Sequence, residues 1–138
     1  MDTRKIGNFG ERIAENYLRN KGYQILDKNY SFRMPGNPQK GEIDIIAKKN
    51  AIISFIEVKT LIQNSRGRTN SGGRTSAISP EEKVNFGKQR KLRITAESWL
   101  MEKKIPLDTK WQIDVVAIEM GSDKKVKISH FENAIPYQ

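Results

Sequence analysis

The twenty residues from Gly41 to Thr60, GEIDIIAKKNAIISFIEVKT, decide the fold. Two isoleucine-rich runs, Gly41 to Lys48 and Ala51 to Thr60, flank Lys49-Asn50, a spacing that predicts a β-hairpin. Both runs read as buried strands, yet the first carries Glu42 and Asp44 and the second Glu57 and Lys59. Ionised groups in a buried sheet are costly unless they are paired or bound to a metal. A two-residue turn at Lys49-Asn50 predicts that Lys48 opposes Ala51, Asp44 opposes Phe55 and Glu57 opposes Glu42. In that register Asp44 and Glu57 are diagonal neighbours on one face, roughly 7–8 Å apart at the backbone. A slip of one residue would send Asp44 to the other face.

The flanking segments predict the rest of the layout. Ile6, Phe9, Ile13, Ala14, Tyr17 and Leu18 recur at helical spacing, so a helix is expected from about Gly7 to Lys21, with Gly22 as its C-terminal cap. Glu11 sits at the edge of that apolar stripe, and Glu15 is expected on the solvent side. Tyr23 to Arg33 reads as a strand, followed by a loop to Lys40. Leu61 to Ser79 is rich in Ser, Thr, Asn, Gly and Arg without periodicity, and reads as a long mobile basic loop. Ser79-Pro80-Glu81-Glu82 carries N-cap and capping-box chemistry for a second helix to about Lys104, burying Val84, Leu92, Ala96, Trp99 and Leu100. Trp111 to Met120 and Lys125 to Phe131 are two further strands. The order helix, three strands, helix, two strands predicts an α/β or α+β domain with a mixed sheet. At 138 residues the chain is read as one domain, 1–138.

Composition narrows the classes of function. There is no cysteine and a single histidine, which excludes a disulfide framework, thiolate metal sites and a multi-histidine zinc site. No apolar run approaches the ~20 residues of a membrane span, and the amino terminus lacks a secretory pattern, so a cytoplasmic location without membrane contact is expected. The net charge is +9. From Leu61 to Arg93 eight bases stand against two acids, so six of those nine surplus charges fall in about a quarter of the chain. A concentrated basic surface attracts polyanions, nucleic acid foremost.

Two carboxylates followed by a lysine form a hydrolytic kit. Carboxylate oxygens are hard ligands suited to Mg²⁺ or Mn²⁺. Such an ion lowers the pKa of a water and offsets charge on a scissile phosphate, while Lys59 would position the water or stabilise the transition state. An ordinary Glu57–Lys59 pair on a solvated face is the alternative. The buried flanks and the basic segment downstream favour the site.

Asp44, the 12-residue interval and Glu57-Val58-Lys59 resemble the PD-(D/E)xK signature of the restriction-endonuclease-like nuclease superfamily. More closely, Gly10-Glu11, Tyr17-Leu18, Gly22-Tyr23, Gly41-Glu42-Ile43-Asp44, Glu57-Val58-Lys59, the Lys88-to-Leu100 helix, Asp114-Val115-Val116 and Asn133-Ala134 resemble the YraN-like bacterial family of that superfamily. The resemblance implies a restriction-endonuclease-like core of helix, three-strand meander, helix and further strand, with a mixed central sheet flanked by helices. It implies that Asp44, Glu57 and the Val58 carbonyl hold Mg²⁺ or Mn²⁺, that Lys59 is the catalytic lysine, and that Glu11 approaches the metal from the first helix. Gln89 or Lys88 would be the polar residue that the second helix places beside the site. Archaeal Holliday-junction resolvases are similar in size and layout, which makes branched DNA the implied substrate. Ile43 stands where the signature has proline, and the 33–40 and 61–79 segments are longer than expected.

Arg66, Arg68 and Arg74 suit a loop that orders on phosphate backbone with little base reading, with a plain linker as the alternative. Lys88, Arg90, Lys91 and Arg93 join them as nucleic-acid-binding candidates, although they cover more than one side of their helix. Asp114 reads first as a strand-end cap or a partner for lysine, His130 as structural or exposed, and Trp99 and Trp111 as core aromatics. The expected activity is metal-dependent cleavage of DNA, ahead of RNA, with homodimerisation suited to cutting two strands. The alternatives are a non-catalytic nucleic-acid-binding module on the same fold and a basic protein-interaction domain.

Overall fold

A computed structural model describes residues 3–37, 40–62 and 86–135. The order of elements is α1 (Thr3–Asn20), β1 (Gln24–Arg33), β2 (Lys40–Lys49), β3 (Ile52–Ile62), α2 (Phe86–Glu102), β4 (Lys110–Met120) and β5 (Val126–Phe131). The strands form one five-stranded sheet in chain order. It is antiparallel except between β3 and β4, where Ile52 pairs with Lys110 and Ile62 with Met120 in parallel. A parallel step needs a long crossover, and α2 lies within it. The α/β class and the element order agree with expectation.

The sheet is covered on both faces, which explains its nearly continuous apolar strands. Ala14 and Leu18 of α1 pack on Ile45, Ala47, Ile56, Val116 and Ile118. Leu92, Ala96 and Trp99 of α2 pack on Ile46, Ile53, Phe55, Ile113 and Val115 on the other side. Trp99 and Trp111 both meet Phe55 edge-on, at 5.7 and 5.6 Å between ring centres, as core aromatics should. No helix among the described residues is long and apolar enough to cross a membrane.

Local chemistry sets the ends of these elements. Helix α1 closes with Gly22 at φ +94° and the Tyr23 amide donating to the Leu18 carbonyl at 3.0 Å, the left-handed cap that Gly22 predicts. Two glycines let the helices approach the sheet. A Cβ on Gly10 would overlap the Thr60 side chain of β3, and one on Gly41 would overlap Thr95 of α2.

Three expectations are corrected. The β2–β3 turn residues are Asn50 (φ 52°) and Ala51 (φ 65°), so Lys49 pairs with Ile52 and Ile45 with Ile56. Two successive left-handed residues make the turn whose twist matches antiparallel strands, and asparagine adopts that region more readily than most residues with a side chain. The register therefore differs by two positions from the expected one, and an even shift keeps the side chains of the paired stretch on their predicted faces. Leu61 and Ile62 belong to β3, Leu61 with 3 % exposure, because the sheet continues alongside β4. Glu15 faces β1 instead of open solvent, ion-paired to Lys28 at 3.0 Å and to Arg19 at 2.9 Å. The rest of the basic 61–79 segment, Arg66, Arg68 and Arg74 included, lies outside the described residues, as do Val84 and the Ser79 cap.

Candidate active site

The hairpin sends Asp44 and Glu57 to the same place. Side-chain alternation in β2 fails once: Ile45 and Ala47 face α1, whereas Ile43 and Ile46 both face α2. Asp44 occupies that break. The ladder to β3 ends at Ile45–Ile56, and opposite Asp44 in β1 stands Asn29, whose left-handed φ of 53° interrupts the other side. Freed from the ladder, the Asp44 carboxylate accepts the Val58 backbone N–H at 2.7 Å. A side chain thus replaces the strand as acceptor, which pins Asp44 beside Glu57.

Glu57 has only 8 % exposure. Its Oε2 is buried without a hydrogen bond of good geometry, and the Lys88 ammonium of α2 approaches it to 3.4 Å. Burial, then the Glu57 charge, pushes Asp44 up to about 8, against the opposing pull of the Val58 amide. On α1, Glu11 is raised by burial and by the charges of Glu42 and Glu57, with Lys28 opposing. Lys59 is lowered by burial and by contact with Lys88. Burial alone would lower Lys88 too, but its contacts with Lys59 and Glu57 outweigh that and hold it charged.

This donor set fits a hard divalent cation. Two carboxylates meet, one oxygen is buried and unsatisfied, and the mutual repulsion calls for a positive charge. Among the described residues no three His, Cys, Asp or Glu side chains stand close enough to hold an ion by themselves. Water, a backbone carbonyl or substrate oxygens would complete the shell.

The other expected residues separate. Lys88 reaches the acid pair. Gln89 is its half-buried neighbour on α2. Arg90 is exposed, while Lys91 and Arg93 are half-buried, in keeping with their spread around the helix. Asp114 pairs with His130 at 2.8 Å and not with a lysine, and His130 is thereby structural. Sequence spacing gave no signal for the Lys88–Glu57 contact or for the Gly10–Thr60 approach that brings α1 over β3, since each joins distant segments.

A five-stranded mixed sheet between two helices, with an acid pair where two strands part, defines an α/β domain. Residues 10–118 match the model of a family described as "Uncharacterised protein family UPF0102". A UPF0102 protein of Alkaliphilus oremlandii is 41% identical over 134 residues, covering 96% of this chain and 98% of that protein. One from Clostridium tetani is 46% identical over 103 residues, 75% of this chain and 70% of its own length. The chain belongs to this family, that of the YraN-like proteins.

Proposed function

We propose that this protein is a metal-dependent nuclease of the restriction-endonuclease-like superfamily that hydrolyses phosphodiester bonds in DNA, branched or structured DNA in particular. The observation that carries the reading is the meeting of Asp44 and Glu57 at the parting of β2 and β3, with Lys59 and Lys88 against them. Asp44, Glu57 and the Val58 carbonyl would hold Mg²⁺ or Mn²⁺, which supplies positive charge beside the scissile phosphate and makes a neighbouring water more acidic.

The chain's own groups divide the remaining work. Lys59, whose hold on its proton is lowered by burial and Lys88, would position the attacking water or stabilise the transition state. Lys88 keeps its charge and suits the developing negative charge on phosphate oxygens. Glu11 and Gln89 would orient water at the edge of the site. Arg90, Lys91 and Arg93, with the arginines of the 61–79 segment, would contact phosphate backbone without reading bases.

The test is cleavage of duplex, single-stranded, flap and four-way-junction DNA with Mg²⁺ or Mn²⁺. Wild type should cut at least one substrate. Asp44→Asn and Glu57→Gln should lower the rate by ~100-fold or more while DNA binding persists. Equal cutting by both variants would overturn the assignment of the site, and metal-independent binding without cleavage would leave a binding module.

A further inference from the structure

At the start of β3, on the α1 side, a groove of about 420 Å³ opens between the end of α1, the β2–β3 turn and β5. Its volume lies in the range of small-molecule sites. The groups behind it are fixed by a hydrogen-bonded chain. Asp114, with 0% exposure, accepts from Gln112 Nε2 at 3.0 Å, from the Asn133 backbone amide at 2.9 Å and from His130 Nε2 at 2.8 Å. With Nε2–H given to Asp114, His130 Nδ1 is left to accept the Tyr17 hydroxyl, 3.3 Å away. The imidazole also meets the ring of Tyr23 at 6.0 Å.

Two rings thus line a polar groove, and each is covered by a cation. The Lys49 ammonium lies 5.2 Å from the Tyr23 ring centre and that of Lys21 lies 5.9 Å from Tyr17. We propose that this groove binds a nucleotide, its base stacked on Tyr23 and Tyr17 and its phosphate held by Lys49 and Lys21. A base that replaces an ammonium over a tyrosine keeps the ring covered and frees the lysine to pair with phosphate. Gln112 and the rim carboxylate of Glu132 offer a donor and an acceptor to the base edge. An inorganic anion alone would use only the lysines, and an uncharged aromatic only the rings. The same chemistry belongs to a free nucleoside monophosphate and to the terminal nucleotide of a strand. The site does not depend on the acid pair: Ile52 and Ser54, which line it, lie five and three residues before Glu57, ~17 and ~10 Å along the strand.

Titration of the full chain with deoxyadenosine 5′-monophosphate in EDTA, followed by calorimetry and amide NMR, tests this. Saturable binding with Kd below ~1 mM is expected. Asn50 and the Gln112 side-chain amide should shift while the Val58 amide stays put. Lys49→Gln should weaken binding about tenfold, and deoxyadenosine and inorganic phosphate should each bind at least tenfold more weakly than the nucleotide. Asp44→Asn should bind as wild type does, whatever becomes of cleavage. A 5′-phosphorylated oligonucleotide that binds tenfold tighter with the same Lys49 dependence identifies a strand end as occupant; equal affinity identifies the free nucleotide. No saturation by about 5 mM, indifference to Lys49→Gln, or binding lost in Asp44→Asn would overturn the proposal.

Discussion

Asp44 and Val58 are joined by a 2.7 Å bond from backbone amide to carboxylate, across the point where β2 and β3 cease to pair. The bond fixes one carboxylate at the cost of ladder regularity, and the carboxylate it fixes is the one most disturbed by its surroundings. Four measurements follow from this and from the packing around it.

Asp44 is raised to about 8, so its contribution to stability is fully present below the ordinary carboxylate range and is lost as pH rises towards 8. Asp44→Asn carries no charge at any pH and keeps an oxygen for the Val58 amide. Without metal the variant should melt higher than wild type at pH 8, and the gap should narrow as pH falls, closing only near the ordinary carboxylate value of 3.8. Saturating Mg²⁺ should raise the wild-type melting temperature alone. A gap independent of pH would contradict the crowded acid pair.

Gly10→Ala should destabilise the fold by ~1–3 kcal/mol in urea titration, because the new methyl meets Thr60 and α1 must move off β3. Thr60 neighbours Lys59, so the proposed cleavage should fall beyond what the lost stability explains. A neutral substitution would mean that the helix approach is loose.

Ala51 holds φ 65°, a region costly for any residue with a side chain. Ala51→Gly should therefore stabilise the protein by about 0.5–1 kcal/mol despite glycine's greater freedom when unfolded. A loss of stability would argue for the turn at Lys49-Asn50 instead.

Asp114→Ala should cost ~2–4 kcal/mol by chemical denaturation, since it removes a buried acceptor from three part-buried donors at once. Asp114→Asn, which retains one acceptor oxygen, should cost less. A change below ~1 kcal/mol would show that the chain to His130 and Tyr17 contributes little.

Much of this was legible in the residues. Apolar spacing located α1, β2, β3 and β4 to within a few positions, because each packs against a covered face of the sheet, while the expected start of the second helix lies outside the described residues. The pairing of Asp44 with Glu57 survived an error in the turn, since an even slip preserves faces. What sequence could not reveal depended on irregularity or on distance. The break in alternation at Asp44 is paired with a left-handed Asn29 some fifteen residues earlier, and neither announces the other. The carboxylate of Asp114 found a histidine on β5 because β4 and β5 pair in a register that no local pattern encodes.

The left-handed Asn29 lies on β1, an outer strand with one flank unpaired among the described residues. A kink in such a strand spoils it as a template for a foreign strand and guards against edge-to-edge aggregation. The irregularity that seats Asp44 on the inner flank therefore also blunts the outer one, and two copies that associate would meet more readily through helix or loop surfaces than by extending the sheet.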